Sequence, residues 1–398
     1  MYKKTIVIFI SMWIMCLCSG CFDVLNLNEN AYLLAVGIDR GVAGKYRFSF
    51  QFAQPVKSMN EEKESKETSN SSEIVTIDAS DIVTAIYSVK DFKSKRINGS
   101  HIKIVVFGSD IAREGISDLL ASFIEPGQLR TNMYLAVAAD TAAEYLHKVE
   151  PQTEIFLTKF YERQFDPMHG INMAAPRLYD TYFTIMGKKE DVVLPLVGVN
   201  KEKAMHHWLE EPRGYISGDI PRISENTTEM AGNAYFDGDV MQGVITQAEA
   251  DIYFLLKGVY TFGYLTVPDP KEREKILVLN IEQSGKPKIK VNHKTNRVDI
   301  NLSLNGVVYY GEGSFDYAKN ISFLENYIES IYTQRCMDFV QKRQIENIDC
   351  LGLEKCFRCN FLTESEQERH TFDLKKLSFY IQTDIDIKRT GKLSGIKK

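Results

Sequence analysis

The apolar period of this chain switches repeatedly between two residues and the helical repeat, and that rhythm restricts the fold more than any composition figure. "KYRFSFQFAQP" sets Tyr46, Phe48, Phe50 and Phe52 against polar neighbours, which reads as a half-buried strand. "AYLLAVGIDRG" before it reads as a strand ending in a glycine-rich turn, so the two should pair as a hairpin. "VKSMNEEKESKETSNSSE" holds almost no large apolar residue and is expected to be a mobile loop. Behind Ser80 or Asp81 as a cap, Ile82, Ala85, Ile86 and Val89 recur at helical spacing. "HIKIVVFG" is a short buried strand, and "SDIAREGISDLLASFI" is a helix that Ser109 or Asp110 would cap. "TNMYLAVAA" is a further strand, and "DTAAEYLHKV" opens a helix at Asp140. "YDTYFTIMGKKEDVVLPLVGV" supplies a helix, then a strand or linker around Pro195. The β-β-α-β-α-β-α order argues for one α+β unit.

The second half changes character. "NAYFDGDVMQGVI" reads as a tight hairpin with Asp237-Gly238 as its turn, and "TQAEADIYFLLKG" as a helix capped by Thr246 and stopped by Gly258. "KILVLNIEQS", "KPKIKVN" and "RVDINLSLNGVVYYGEG" form a second, antiparallel sheet. "SFLENYIESIYTQRCMDFVQKRQ" is the longest helix, with Leu324, Ile328, Ile331 or Tyr332, and Phe339 on one face. "LSFYIQTDIDIKRTGKL" alternates again and should close the sheet.

The N-terminus is the most specific segment. Lys3 and Lys4 form a small basic head before "TIVIFISMWIMCL", an apolar run short of the ~20 residues needed to cross ~30 Å of hydrocarbon. Ser19 and Gly20 then lead to Cys21, which resembles the lipobox of bacterial lipoproteins. There the cysteine thiol receives a diacylglyceryl group and the peptidase cuts in front of it. The usual leucine three places before the cysteine is Cys18 here, with Leu17 one place further back. A plain secretory signal with an incidental cysteine and, with less weight, a retained membrane anchor are the alternatives. Two acyl chains on Cys21 would anchor the body stably, where one would be marginal.

The formal net charge is −5, and with Lys3 and Lys4 set aside the remainder carries −7. A mildly acidic body without a Lys/Arg cluster is a poor nucleic-acid binder, and no nucleic-acid partner is expected. Catalytic signatures are missing from the sequence: no G-x-S-x-G, no H-E-x-x-H and no Walker loop. Gly311 and Gly313 in "YGEGSF" read as a turn, His206-His207-Trp208 as loop residues, and Glu210-Glu211 and Asp237/Asp239 as solvated charges. Cys350, Cys356 and Cys359, with His370 beyond them, could seat zinc. With Cys336 they could instead form disulfides, or stay as free or buried thiols. No catalytic residue and no cofactor is expected.

Five segments, taken in order, resemble the Ger(x)C family, the C subunits of bacterial spore germinant receptors of the GerAC type. "GCFDVLNLNENAYLLAVGID" is similar to the family's lipid-site cysteine, aromatic, Asp and later Gly-Ile-Asp, with Phe22 at the usual Trp position and Asn26 at the usual Glu. "HIKIVVFGSDIAREGISDLLASFI" resembles its strand and helix with Ala-Arg-x-Gly, and "VVLPLVGV" the end of its N-terminal region. "AGNAYFDGDVMQGVITQAEADIYFLLKG" is similar to its Gly-x-Ala-x-Phe signature, and "QTDIDIKRTGKL" to its closing strand with Arg-x-Gly. One corner departs: after the long helix the family reads Asp-x-x-Gly-Phe-Gly and later a Trp, where this chain has "IDCLGLEKCFRCNFL" and no Trp.

The resemblance implies an α+β protein of three small mixed α/β domains, the C-terminal one with an antiparallel sheet and one long helix. Residues 1–20 would be the lipoprotein signal peptide and 21–198 the N-terminal domain. Residues 199–270 would be a middle domain or a linker plus hairpin and helix, and 271–398 the C-terminal domain, with 199–398 together the family's C-terminal region. It also implies a non-enzymatic subunit, held by a lipid on Cys21 to the outer face of the spore inner membrane. Its partners would be two integral membrane receptor subunits of the A and B type. A substrate-binding lipoprotein of a transporter and a cell-wall hydrolase are the alternative readings.

Overall fold

The computed structural model describes residues 29–54, 72–125, 129–150, 156–166, 175–201, 213–363 and 370–389, with Tyr2, Thr5 and Ile6. Cys21, the apolar run before it from Val7 onward, most of the expected loop, His206-His207-Trp208, Glu210-Glu211 and the last nine residues lie outside them.

Among the described residues the first sheet has nine strands. In chain order its elements are β1 (Asn30–Arg40), β2 (Tyr46–Ala53), β3 (Ser72–Ala79), α1 (Ile82–Val89), β4 (Arg96–Asn98), β5 (Ile104–Phe107), α2 (Ser109–Glu114), α3 (Ser117–Ile124), β6 (Tyr134–Ala138), α4 (Ala142–Lys148), α5 (Leu157–Phe165), α6 (Leu178–Gly187), β7 (Val193–Val199), β8 (Thr228–Asp237) and β9 (Val240–Ile245). The strand order is β3-β2-β1-β5-β6-β7-β8-β9, with β4 beside the start of β1. The central strands β1, β5, β6 and β7 run parallel, and antiparallel hairpins flank them. Parallel strands need helical crossovers, and these cover both faces.

That covering corrects the expectation for β2. Phe48, Phe50 and Phe52 do face one core, with Ile82, Leu120 and Phe123 from α1 and α3. Their polar neighbours Ser49 and Gln51 are equally buried, on the opposite face. There the Tyr161 hydroxyl of α5 donates to Gln51 Oε1 at 2.7 Å, and Gln51 Nε2 donates to Ser72 Oγ at 3.0 Å. Alternation therefore marks two buried faces of different polarity, not one wet face.

Local chemistry explains the other differences. Asp81 caps α1, accepting from Thr84 N at 2.8 Å. The expected single helix after β5 is two, because Gly115 at φ 116° breaks it, and its N-cap is Gly108 rather than Ser109 or Asp110. Thr141, not Asp140, is the side-chain cap of α4. The two-residue turn of the β8–β9 hairpin is Gly238-Asp239, one place later than expected. Gly238 sits at φ 59°, the left-handed backbone that the first position of such a turn requires. Two further elements add to those expected: strand β3, which has no clean period, and helix α5, which buries Leu157, Tyr161 and Phe165 at four-residue spacing.

The second body begins with α7 (Gln247–Lys257), held by a Thr246–Glu249 capping box and ended by Gly258 in the left-handed region, as the sequence predicts. β10 (Phe262–Pro268), an unexpected edge strand, is followed by β11 (Ile276–Gln283), β12 (Lys288–Asn292), β13 (Arg297–Gly311), α8 (Ile321–Glu346), α9 (Leu353–Arg358) and β14 (Ser378–Arg389). Strands β10 to β13 are antiparallel, but β14 runs parallel to β13, so this sheet is mixed. The reason is the long helix between them: α8 carries the chain back across the sheet, and a strand that follows such a crossover enters parallel.

Leu324, Ile328, Tyr332, Cys336, Phe339 and Val340 of α8 share one core with Ile381, Ile385 and Ile387 of β14. Glu325 and Glu329, one helical turn apart, accept from Ile387 N at 3.1 Å and Ile385 N at 3.0 Å. The outer edge of β14 is thereby covered by its own helix, which blocks pairing with another chain. Val193, Tyr235 and Ile245 of the first sheet belong to this same core, so the two bodies are packed through it. Among the described residues, no helix is long and apolar enough to cross a membrane.

Candidate functional site

Open α/β sheets bind ligands at the carboxyl ends of their parallel strands, where helix N-termini offer free N–H groups. In this chain Asp39, at the end of β1, occupies that place. Its Oδ1 accepts from Ala142 N at 2.8 Å and its Oδ2 from Ala143 N at 2.9 Å, at the start of α4. Burial pushes the Asp39 carboxyl up, and the two N–H donors oppose that shift. Gly108 at the end of β5 lets the carboxylate in, because a Cβ there would lie 2.2 Å from Asp39 Oδ1. The N-terminus that could receive a phosphate or carboxylate ligand is already filled from within. Asp39 is the acid of the Gly37-Ile38-Asp39 segment, so that motif has a structural reason here.

A second acidic centre joins the two bodies. Asp191, between α6 and β7, donates its backbone N to Asp349 O at 3.0 Å and accepts from Asp349 N at 2.6 Å through its carboxylate. Its other oxygen accepts from Gly238 N, at the tip of the β8–β9 hairpin, at 3.1 Å. Asp349 in turn accepts from Leu353 N at 2.8 Å and Glu354 N at 2.7 Å, capping α9. Gly352, at φ 73°, lies against Glu190, which pairs with Lys257 of α7. Desolvation raises both carboxyls, Asp349 to about 6; the Asp191 and Glu190 carboxylates add to the Asp349 shift, and Asp237 and Glu190 to that of Asp191. The segment Asp349-Cys350-Leu351-Gly352 keeps the Asp-x-x-Gly of the otherwise divergent corner. Its acid caps a helix and its glycine lets the first body approach.

Arg343 of α8 closes the same joint. Its guanidinium carbon lies 4.0 Å from the Tyr235 ring centroid of β8, and Nη2 is 2.9 Å from Glu346 Oε2. The cavity beside it, lined among others by Arg343, Asp349, Cys350 and Leu353, measures about 10 Å³. That is room for about one water, against the ~300 Å³ or more of a small-molecule pocket.

The joint has a testable pH signature. Asp349 holds its proton to about pH 6 in the folded chain, but releases it near 3.8 when unfolded. Between those values the folded chain binds more protons, so stability falls as pH rises through that window and stays lower above it. The upward shift of Asp191 acts with the same sign. Urea midpoints measured from pH 4 to pH 7 should show this decline, and Asp349→Asn should flatten it. An unchanged slope in the variant would assign the decline to other groups.

Among the described residues, two further acids, Asp239 and Glu229, make structural contacts. Asp239, expected to be a solvated charge, accepts from Ser117 N at 3.2 Å and Ser117 Oγ at 2.5 Å, and so caps α3 from a distant hairpin. Buried Glu229 accepts from Gly218 N at 2.7 Å and Arg222 Nε at 3.0 Å, and also pairs with Asn200, clasping the loop before β8. Gly313 turns tightly against Asp269. Cys336, Cys350, Cys356 and Cys359 are free thiols. Burial pushes Cys336 and Cys350 to about 12, far from thiolate chemistry. His370 is not among them as a ligand: it stacks on Phe361, ring centroids 4.5 Å apart. Among the described residues no group of three or more His, Cys, Asp or Glu could hold a metal ion.

Two family models match this chain, the spore germination protein N-terminal domain over residues 23–199 and the spore germination B3/GerAC-like C-terminal domain over residues 231–391. The chain belongs to the Ger(x)C spore germination family. Spore germination protein KC of Bacillus subtilis (strain 168) is 19% identical to it over 410 residues, covering 98% of this chain and 97% of that protein. The crystal structure of the GerBC protein aligns with a TM-score of 0.54 at 16% identity, covering 89% of this chain and 96% of that one. That likeness establishes a shared fold, an α+β architecture of several parts. Asp39 and Asp191 lie within the first match and Asp349 within the second.

Proposed function

We propose that this Ger(x)C chain is the lipid-anchored, non-enzymatic C subunit of a nutrient germinant receptor. In this reading it acts at the outer face of the spore inner membrane with two integral membrane subunits of the A and B type. One observation carries the proposal: the family match begins at residue 23, two places after the lipobox-like Ser19-Gly20-Cys21. The family body thus starts where a lipoprotein peptidase would leave its acylated N-terminus.

Other features favour a binding body over an enzyme. Asp39 plugs the strand-end site from inside. The outer face of α6 exposes Tyr179, Phe183 and Met186 at successive helical turns, each about half exposed, the kind of apolar patch that marks protein contacts. Tethering to a surface raises effective concentration, so modest contacts with membrane partners suffice.

Cys21→Ala tests the anchor. The variant should keep the folded body, seen as an unchanged urea midpoint, yet leave the spore membrane fraction and lower germination with nutrients. A variant that stays in the membrane fraction and germinates normally would refute the proposal.

A further inference from the structure

The start of β1 and the loop after α1 lie at one end of the first sheet. Asn30, Ala31 and Tyr32 pair in parallel register with Arg96, Ile97 and Asn98. The loop Lys90-Asp91-Phe92-Lys93-Ser94-Lys95-Arg96 is thereby set beside the point where the chain enters the fold. It carries four bases and one acid within a chain whose net charge is −5.

Its base is fixed and its rim is exposed. Lys93 Nζ is 2.6 Å from Glu73 Oε2 and 4.6 Å from the Phe52 ring centroid, which pins the loop to β2 and β3. Lys90, Lys95 and Arg96 are exposed. So is Phe92, at 61%, and Tyr87 one turn earlier on α1, at 68%. Large exposed aromatics among bases are the composition of a surface that sits in lipid headgroups.

Chain length supplies the second argument. Only eight residues lie between Cys21 and Asn30, which is nine Cα-to-Cα steps. At about 3.3–3.6 Å each they span at most ~30 Å. An acyl group on Cys21 would hold this end of the sheet near the bilayer, while the second body packs at the β7–β9 side.

We propose that the Lys90–Arg96 loop, with Tyr87, is a contact surface for anionic lipid headgroups that seats the body on the membrane in one orientation. This rests on the reading that Cys21 is acylated. The bases act within a Debye length of ~8–10 Å of the headgroups, and Phe92 enters the interface between them.

The full-length acylated protein would be placed in vesicles of phosphatidylcholine alone, or mixed with phosphatidylglycerol, each containing brominated lipid. Phe92→Trp in a Trp208→Phe background reports contact at the loop. Ile223→Trp in the same background reports the opposite end of the sheet, since Ile223 precedes β8, whose Thr228 pairs with Val199. Quenching at position 92 should be several-fold stronger with phosphatidylglycerol, fall at high salt, and vanish in the triple variant Lys90→Gln, Lys95→Gln, Arg96→Gln. Quenching no greater than at position 223, or equal in both vesicles, overturns the proposal, even if a protein partner is later found there. Intact mass separates the two readings. Acylated protein without quenching at 92 sinks the lipid surface and leaves the anchor. Unacylated protein cut after Trp13, so that position 92 carries its one tryptophan, that is quenched with phosphatidylglycerol sinks the anchor and leaves the surface.

Discussion

Gly232→Ala is expected to destabilise the chain by about 3–5 kcal/mol, enough to remove much of the stability of an ordinary domain. Gly232 sits at φ 74°, in the left-handed region that costs an L side chain ~1–2 kcal/mol. A Cβ there would also lie 2.4 Å from the carbonyl oxygen of Ile245, which is backbone and cannot swing aside. The strain has a local cause. Pairing of β7 with β8 slips by one residue between Pro195 and Val197, so β8 bulges at this point. The bulge frees the Gly232 N–H, which donates to Gln247 Oε1 at 2.9 Å instead. Gly238→Ala is the control, because Gly238 has φ 59° but open space around its Cβ position. It should lose only the backbone term, ~1–2 kcal/mol. Urea unfolding of the two variants would measure both, and equal losses would contradict the steric argument.

Asp39→Ala should cost about 2–4 kcal/mol. The carboxylate satisfies two N–H groups at the start of α4, one of them buried, and alanine leaves both without their acceptor. Asp39→Asn keeps one acceptor oxygen and should lose roughly half as much. Hydrogen exchange at Ala142 and Ala143 gives the local readout, with protection lost first there. A variant within ~0.5 kcal/mol of the parent would mean that Asp39 is not the helix cap.

Legibility in the sequence followed from how far each signal reached. The Phe48-Phe50-Phe52 alternation, the Thr246 cap with its Gly258 stop and the Leu324-Ile328-Tyr332 face are each written within a few residues, and each element forms where the sequence places it. Strands β3 and β10 were missed because edge strands need only one buried face. Ser72–Ala79 mixes exposures without a clean period, and Phe262–Pro268 exposes Phe262 and Tyr264. The parallel entry of β14 depends on the crossover by α8, which no local pattern reveals.

The two acidic centres were harder still. Asp39 bonds across 103 residues and Asp191 across 158, so neither partner is visible from its neighbours. An acid closing an otherwise apolar strand was the one available hint for Asp39, since such a group needs donors from elsewhere. In the cysteine-rich corner the spacing leaves zinc, disulfides and free thiols all open, because it does not show that Cys350 is buried while Cys359 is exposed.

The anchor is the claim on which the receptor reading turns, and mass analysis of the protein extracted from spore membranes tests it most directly. The account predicts a mature chain whose first residue is Cys21, with a diacylglyceryl group on its sulfur. A chain that starts elsewhere, or a Cys21 with an unmodified thiol, would contradict it.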